Sequence, residues 1–297
     1  MSNIKYLAYL KTVEFHSLTK AANLLGYTQP GISHMITSLE QELGFPLLIR
    51  AKDGVYPTDE GQQLLYYMRQ IVNNEAMLKD LANQINGIET GSIRIGVFSS
   101  TSTQWVPGLL QKFTALHPNI RVQIIEGTTI ELQNLFSENY LDLGLMSDPA
   151  PEGFEFIPLM QDPILAIIPQ DHPLANEEYI SPRELVKYPF IIPQEGADED
   201  IWRVLDPEKL IPDIRYRIKG DATILAMVAN GLGVSLFPKL AILLTNQKIL
   251  TKPLTTGCTR TLGVVIRSSK YASPAVKEFL FLTRKMAASD FLSKHHL

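Results

Sequence analysis

The chain has little of what a disulfide framework, a membrane span or a polycation requires. Its single cysteine, Cys258, excludes a disulfide framework and fits a reducing cytoplasm. No apolar run is long enough to cross a bilayer, and the N-terminus lacks the basic-then-apolar order of a secretory signal, so we expect a cytoplasmic protein that does not use a membrane. The 27 basic and 31 acidic residues give a net charge of −4, which excludes a polycationic protein.

Signatures of catalysis and of metal binding are also missing. The sequence has no Gly-x-Ser-x-Gly motif, no phosphate-binding glycine loop and no spaced carboxylate pair. Its six histidines show no metal-ligand spacing with cysteine or acidic residues. We therefore expect no enzyme, no metal and no cofactor. Cys258 is expected to be inert rather than redox-sensing, because no second thiol is present to form a disulfide.

The most informative stretch, residues 18–43, reads as two short helices joined by a tight turn. Gly26 stands where the first helix must end, and Thr28 can cap a second helix that carries Pro30 in its first turn. A buried face is predicted at Ile32, Ile36, Leu39 and Leu43. The opposite, polar face suits a DNA major groove, although an ordinary helical hairpin is the alternative for this pattern alone. The predicted DNA contacts on this helix are Thr28, Gln29, Pro30, Ser33, His34 and Thr37.

Two short apolar runs around an Asp53-Gly54 turn predict a β-hairpin after these helices. Beside such a helix pair, a hairpin with Arg50 and Lys52 near its tip is expected to be a wing that contacts phosphates or the minor groove. A solvated surface turn is the alternative. Residues 1–58 carry only a slight basic excess, with five Lys or Arg against four acidic residues. Phosphate affinity per subunit should therefore be modest, and dimerisation is expected.

A long helix is predicted next, over residues 59–86. Thr58 can cap its start, and acidic residues follow at the positive end of the helix dipole. Apolar residues alternate at three and four positions over about three heptads, with Glu75 the one polar member. This predicted seam consists of Leu64, Met68, Ile71, Leu78, Ala82 and Ile85. The chain before it is too small to cover the seam, so a dimerisation arm is favoured over a helix buried in a single domain.

From Ser92 onward, strands alternate with helices, which is typical of an α/β fold with a parallel sheet. A first series of strands is predicted at residues 93–98, 120–125 and 141–146. A second series is predicted at residues 164–168, 190–192, 216–218, 234–237 and 262–266. We expect two α/β lobes that are hinged near Gln161-Asp162 and again near Ile266-Arg267.

A resemblance to the LysR-type transcriptional regulators covers essentially the whole chain. It is carried by SLTKAA at residues 17–22, TQPGIS at 28–33, LEQELG at 39–44, PTDEG at 57–61, YLDLGL at 140–145 and MVANGLGV at 227–234. Their order and spacing are those of the family, so the match is specific. The recognition helix has His34 where family members often carry Arg. Since His makes only a single bond to guanine, the preferred half-site is left open.

The resemblance implies an N-terminal winged helix-turn-helix, a linker helix and a two-lobed effector domain similar to periplasmic binding proteins. The expected domains are residues 1–58 for DNA binding, 59–90 for the linker and 91–297 for the effector domain. Lobe I would comprise residues 91–161 and 267–297, and lobe II residues 162–266. The family also implies a homodimer or homotetramer on an interrupted palindrome of double-stranded DNA, with RNA polymerase as a further partner.

The effector is expected at the carboxyl ends of the strands, where open α/β sheets bind ligands. The residues at those positions are Ser99, Ser100, Thr101, Ser102, Thr128, Thr129, Met146, Gln194, Glu195, Gly196 and Thr223. Hydroxyl groups and helix N-terminal N–H groups suggest a small anion such as a carboxylate. No Arg or Lys falls at these loop positions, so a highly charged ligand would rest on N–H dipoles alone.

Three functions can be weighed on this evidence. A ligand-responsive DNA-binding regulator accounts for the winged helix, the seam and the lobes together. A solute-binding protein of a transporter would leave the N-terminal part unexplained, and an enzyme with a DNA-binding domain would need a catalytic set that the sequence lacks. For the regulator, we expect a ligand that prefers the closed lobes to change dimer packing and the spacing of the DNA-binding domains. Effector identity, target genes and the choice between activation and repression stay open.

Overall fold

The computed structural model describes residues 3–85, 91–243 and 245–288. Contacts divide the chain into two compact units. One comprises residues 1–90 with 135–140, and the other residues 91–134 with 141–297. Each unit has its own hydrophobic core.

Four helices and a two-stranded hairpin form the first unit. They are α1 (Asn3–Phe15), α2 (Leu18–Leu25), α3 (Gln29–Leu43), β1 (Leu48–Ala51), β2 (Gly54–Pro57) and α4 (Asp59–Ile85). Ser17 caps α2 and Thr28 caps α3 through side-chain oxygens, while Gly26 and Gly44 end these helices in the left-handed conformation. The predicted helix-turn-helix and wing are therefore present.

The core of this unit is built on the faces that periodicity predicts. Ile32, Ile36 and Leu39 of α3 are buried against α1 and α2. Two residues of the predicted seam, Leu64 and Met68, also pack into this core, so the seam prediction is wrong for them. The reason is that the first turns of α4 cover their own subunit's helices. The side chain of Ile85 lies outside the described residues.

The second unit alternates strands and helices. Its strands are β3 (Gly91–Val97), β4 (Ile120–Glu126), β5 (Leu143–Ser147), β6 (Glu155–Pro169), β7 (Pro189–Pro193), β8 (Asp213–Ile218), β9 (Ser235–Pro238), β10 (Ile249–Pro253) and β11 (Thr259–Ile266). Its helices are α5 (Ser99–Gln104), α6 (Val106–Leu116), α7 (Thr129–Ser137), α8 (Pro182–Leu185), α9 (Glu199–Leu205), α10 (Asp221–Ala229), α11 (Lys239–Ile242) and α12 (Pro274–Ala288), with a short 3-10 helix at Asp206–Glu208.

The strands form a mixed arrangement rather than the parallel sheet that the alternation predicts. Strands β3, β4 and β5 are mutually parallel, while β11 runs antiparallel to both β5 and β6. In the second lobe β7 and β8 are parallel, but β9 and β10 are antiparallel to β6. Alternating elements predicted the parallel pairs correctly, whereas antiparallel pairs between strands distant in sequence left no local signal.

The long strand β6 connects the two lobes. It pairs with β11 as far as Pro163 and with β9 from Ile164, which agrees with a first crossing near Asp162. The return crossing differs from the expected Ile266-Arg267. Strand β11 pairs with β5 and with the first half of β6, so the chain has already returned to the first lobe's sheet by Thr259. The predicted strand began only at Leu262, because the polar run Thr259-Arg260-Thr261 lacks the apolar pattern of a buried strand.

Candidate functional site

The outer face of α3 carries the predicted DNA-contacting side chains at the surface. Gln29, Pro30, His34 and Thr37 are exposed and Ser33 is half-buried. Thr28 stands at the N-cap, where its hydroxyl accepts a hydrogen bond from the Gly31 N–H at 3.2 Å. One face of α3 therefore lies in the core, and the other is exposed along the helix and could lie in a DNA groove.

The wing places Arg50 against the recognition helix. The Arg50 guanidinium donates a hydrogen bond to the Ser33 hydroxyl at 3.0 Å, and both Arg50 and Lys52 are exposed. The turn consists of Lys52 and Asp53, because Ala51 pairs with Gly54. The expected turn at Asp53-Gly54 is therefore wrong by one position. Lys52 therefore lies at the tip, while Arg50 belongs to β1.

A contact that the sequence did not predict holds the wing close to its turn. His16, in the turn between α1 and α2, accepts a hydrogen bond from the Val55 N–H through its carbonyl oxygen at 3.0 Å. Its ring lies 4.8 Å from the ring of Tyr56. The cross-strand pair Arg50 and Val55 is thus tied to α3 through Arg50 and to the turn between α1 and α2 through Val55. The positive φ of His16, 49°, is a feature that sequence patterns do not mark.

Beyond its first turns, α4 presents an exposed apolar stripe. Tyr67, Ile71 and Leu78 are 62%, 41% and 67% exposed, and Ala82 is exposed as well. The spacings of four and seven residues between the first three place them on one side of the helix. This stripe retains the C-terminal part of the predicted seam and adds Tyr67.

A cavity of about 350 Å³ lies between the two lobes of the second unit. Predicted residues that line it are Ser99, Ser100, Thr128, Thr129 and Gln194. They come from the starts of α5 and α7 and from the end of β7, so the carboxyl ends of strands from both lobes meet here, as expected. A volume of this size suits a small metabolite.

The remaining predicted residues are not part of the lining. Thr101 is buried, and its hydroxyl donates to the carbonyl oxygens of Phe98 and Leu145 at 3.0 Å. Met146 is buried, because successive strand side chains point to opposite faces and its neighbour Ser147 faces the cavity instead. Glu195 and Thr223 are exposed away from the cavity, and Ser102 and Gly196 also do not line it.

Arg260 corrects the expectation that the site lacks a cation. It comes from β11, is 4% exposed, and lines the cavity. Its guanidinium donates to Ser100 Oγ at 2.9 Å, to Asp162 Oδ2 at 3.0 and 3.1 Å and to Asp200 Oδ2 at 2.8 Å. Ser100 belongs to one lobe, Asp200 to the other and Asp162 to the crossing strand. Arg260 lies between two threonines just before the predicted strand at residues 262–266, so spacing alone gave no reason to place it in the site.

Further hydrogen bonds join the lobes at the rim. The Thr129 N–H donates to the Gly196 carbonyl oxygen at 3.2 Å. The Arg203 guanidinium donates to the Asp148 carbonyl oxygen at 2.8 Å. Gly196 has φ of +83°, and a Cβ there would approach Ile130 to 2.9 Å, so glycine permits this close approach.

Two carboxyl groups of the lining are perturbed by their surroundings. Burial raises the pKa of Asp221, an effect that Arg260 opposes and that the charges of Glu126 and Asp200 reinforce. Burial likewise raises the pKa of Glu199, against a hydrogen bond with the Thr129 side chain. The ionised forms of both groups are therefore disfavoured in the folded chain.

Other chemistry receives no support from the described part of the chain. No group of three or more His, Cys, Asp or Glu residues there could hold a metal ion. None of the helices within residues 3–85, 91–243 and 245–288 has the length and apolar character that a membrane crossing needs. Burial raises the pKa of the Cys258 thiol, which lowers its thiolate fraction and hence its reactivity.

Family models match both units of the chain. Residues 5–62 match the model described as bacterial regulatory helix-turn-helix protein, lysR family. Residues 86–288 match the LysR substrate binding domain.

Curated relatives are similar over most of the chain. The uncharacterized HTH-type transcriptional regulator YnfL of Escherichia coli is 34% identical over 243 residues, which cover 79% of this chain and 82% of that protein. The uncharacterized HTH-type transcriptional regulator YvbU of Bacillus subtilis is 27% identical over 285 residues, covering 95% and 97%.

Solved structures share the fold at 19–22% identity. A full-length OxyR variant from Pseudomonas aeruginosa has a TM-score of 0.76, with 97% of this chain and 94% of that chain covered at 21% identity. CbnR complexed with its target DNA has a TM-score of 0.66 at 19% identity, covering 96% and 99%. The effector binding domain of QuiR in complex with shikimate has a TM-score of 0.61 at 22% identity, covering 67% and 98%.

Proposed function

Because the chain belongs to the LysR family of transcriptional regulators, we propose that α3 and the β1–β2 wing together read its operator. The protein is a DNA-binding regulator with an effector-binding domain, and its family consists of regulators rather than enzymes. The proposed base contacts come from the exposed face of α3, namely Thr28, Gln29, Pro30, Ser33, His34 and Thr37. Arg50 and Lys52 are proposed to contact the backbone or the minor groove.

The hydrogen bond between Arg50 and Ser33 carries this proposal. It holds a fully charged guanidinium beside the polar face of the recognition helix, 17 positions away in sequence. A backbone contact placed at a fixed distance from the base-reading side chains sets the register of the helix in the groove. His34 can make one hydrogen bond to a base edge, so discrimination must rest mainly on Gln29, whose amide can bond an adenine edge bidentately.

Oligomerisation is proposed to use the exposed stripe of α4. Tyr67, Ile71 and Leu78 lie on one side of this helix, and a second copy of the same helix would cover them symmetrically. We propose a dimer through α4, pairs of dimers on an interrupted palindrome and contact with RNA polymerase from the DNA-bound assembly. The functional boundaries proposed are residues 1–58, 59–90 and 91–297.

The cavity between the lobes is proposed to hold the effector. It is lined from both lobes, and a ligand there would contact Ser99, Ser100, Thr128, Thr129 and Gln194. A ligand that binds the closed lobes better than the open ones shifts their equilibrium by that difference in affinity. The resulting change in dimer packing would alter the spacing of the two recognition helices and so the bend of the DNA.

Binding of the purified full chain to DNA from upstream of its own gene tests the DNA-reading proposal. Affinity for this fragment and for random DNA of equal length is measured at two salt concentrations by fluorescence anisotropy. Tighter binding to the upstream fragment that persists at the higher salt is expected, because base contacts survive when phosphate contacts are screened. Gln29→Ala should reduce the preference between the fragments, and the exposed Gln62→Ala on α4 is the matched control.

Equal and steeply salt-dependent binding to both fragments would contradict sequence reading by α3. Retained preference in Gln29→Ala would contradict the role of that side chain alone.

A further inference from the structure

The cavity between the lobes has a strongly acidic lining. Five carboxylate side chains and two cationic ones face it, which leaves a formal excess of three negative charges (5 − 2). The carboxylates are Glu126, Glu131, Glu199, Asp200 and Asp221, and the cations are Lys219 and Arg260. The expectation of an anionic ligand rested on hydroxyl groups and helix N-terminal N–H groups and did not include these carboxyl groups.

The buried cation of the lining is not available to an anionic ligand. Arg260 is 4% exposed, and its donors are engaged by Asp162 and Asp200, which neutralise its charge, and by Ser100. Lys219 lies beside Glu131 and lowers the pKa of that carboxyl, after the larger effect of the Thr128 backbone hydrogen bond. An anion entering the cavity would therefore meet five carboxyl groups, with the exposed Lys219 as the remaining cation of the lining.

The remaining carboxylates belong to both lobes. Glu126 ends β4 in the first lobe, whereas Asp221 begins α10 and Glu199 begins α9 in the second. Glu126 acts on Asp221 as a like charge, strongly enough to raise its pKa further. In the described structure no Lys or Arg forms an ion pair with any of these three groups. Carboxyl groups of both lobes therefore line the space in which the ligand would sit, and a cation there would favour the ionised form of Asp221 that burial and Glu126 disfavour.

We propose that the effector of this regulator carries a protonated amine, which bridges Glu126 of the first lobe and Asp221 of the second. This inference rests on the proposed function of the cavity as the effector site, and the acidic lining serves only to choose among ligand classes. A cation between the two carboxylates replaces a repulsion by two charge-assisted hydrogen bonds. Since the two groups belong to different lobes, the same contact favours the closed state and gives the ligand its differential affinity.

Four-carbon probes that differ only in charge test the inference on the full chain. The probes are 1,4-diaminobutane, 1-aminobutane, butane-1,4-diol and succinate, titrated at one fixed ionic strength and followed by calorimetry and by the melting temperature. The amines are expected to bind and to raise the melting temperature, while the diol and succinate do neither.

Variants that keep the shape of the lining locate the site. Asp221→Asn and, independently, Glu126→Gln should each weaken 1,4-diaminobutane roughly tenfold or more, as the loss of a charge-assisted hydrogen bond predicts. Glu177→Gln removes an equal charge from an exposed position outside the lining and should leave the affinity unchanged. An equal loss in Glu177→Gln would overturn the inference in favour of nonspecific attraction.

Two other results would overturn it. Amines that bind no better than the diol would exclude a cationic ligand. Binding of succinate in place of the amines would also exclude a cationic ligand. If Asp221→Asn then raised the affinity for succinate, the cavity would remain the effector site. The DNA assay with upstream and random fragments is independent of these probes, so its failure would count against the proposed function instead.

Discussion

Single residues stand at points where neighbouring elements approach most closely. Gly61, in the first turn of α4, is one of them. A Cβ at this position would lie 2.5 Å from the Leu47 carbonyl oxygen and 2.5 Å from the Tyr9 hydroxyl. Both atoms belong to the buried junction of α1, the wing and α4, which cannot move apart without opening the core.

Gly61→Ala is therefore expected to destabilise the first unit by about 1–3 kcal/mol through overpacking. The measurement is chemical unfolding of the full chain followed by its far-UV circular dichroism. Gln62→Ala, one position along on the exposed side of the same helix, is the control and should change little. An unchanged unfolding midpoint in Gly61→Ala would mean that this junction is looser than described.

Asp221 gives a pH dependence whose sign can be derived. Burial raises its pKa in the folded chain above the unfolded value, so its protonated form favours folding. That contribution is present below the unfolded pKa and is lost as the pH rises through the folded pKa. Asn cannot titrate and loses nothing over the same range.

The stability of Asp221→Asn relative to the unaltered chain should therefore increase from about pH 4 to about pH 8. Urea unfolding at several pH values measures it, with Glu177→Gln as the exposed reference. A difference that stays constant with pH would show that Arg260 offsets burial at this carboxyl, and a difference that falls with pH would show that Arg260 outweighs it.

At the scale of elements, the two cations of the wing are expected to contribute to DNA binding in different ways. Arg50 has both a charge and a hydrogen-bonding partner on α3, whereas Lys52 at the tip has a charge and no such partner among the described residues. Arg50→Ala and Lys52→Ala should each lower the slope of log affinity against log salt by about 1.

Ser33→Ala should weaken operator binding without changing that slope, because the Arg50 charge remains but loses its position. Its effect should be non-additive with Arg50→Ala and additive with Lys52→Ala, as a double-mutant cycle in the anisotropy assay would measure. Additivity with both variants would exclude positioning of Arg50 by Ser33.

In helix α4, periodicity predicted one continuous apolar seam, but in the folded subunit part of this seam is buried and part is exposed. Leu64 and Met68 pack inside, while Ile71 and Leu78 stay exposed with Tyr67. A 3.6-residue period identifies an apolar face but does not tell an intramolecular neighbour from a second copy. Spacing alone therefore could not show which seam residues pack within the subunit and which stay exposed.

Leu78→Glu is expected to weaken the dimer strongly, because it would bury an unpaired charge between two copies of α4. Sedimentation velocity over a range of concentrations measures the change. Ala76→Glu adds the same charge at an exposed position on the opposite side of the helix and should leave the dimer intact. Equal sedimentation of the two variants would contradict dimerisation through this stripe.

At the scale of the whole molecule, the two units have separate cores and can be observed separately. Both tryptophans, Trp105 and Trp202, lie in the second unit, so tryptophan fluorescence reports the unfolding of that unit. Operator affinity reports the first unit. Arg260 joins the lobes through buried hydrogen bonds to Ser100, Asp162 and Asp200.

Arg260→Gln should destabilise the fluorescence transition by about 3–5 kcal/mol, because it leaves buried carboxylates without their cation. Operator affinity of the folded variant should be retained. Gly61→Ala should show the converse, with an unchanged fluorescence midpoint and a lower temperature at which operator binding is lost. A shift of both readouts in both variants would show that the units unfold as one.

The sequence by itself determined the elements and most of their order. The cap at Thr28, the glycine after α2 and the apolar periods placed the helix-turn-helix and most strands of the second unit, because these signals act between residues a few positions apart. Strand β10 and the short helices α8, α9 and α11 were not predicted. It also determined the family, through motifs at fixed spacing, and the loops from which Ser100 and Thr129 reach the cavity.

Only the tertiary structure decided what those loops face. Arg260 reaches Ser100 across 160 positions, and strand β11 returns to the first lobe before the expected crossing. It also decided that carboxylates of both lobes converge on the cavity, and that Arg50 rests on Ser33. Pairing of distant strands depends on the closure of long loops and on the fit of whole faces, and neither leaves a mark on the residues near by.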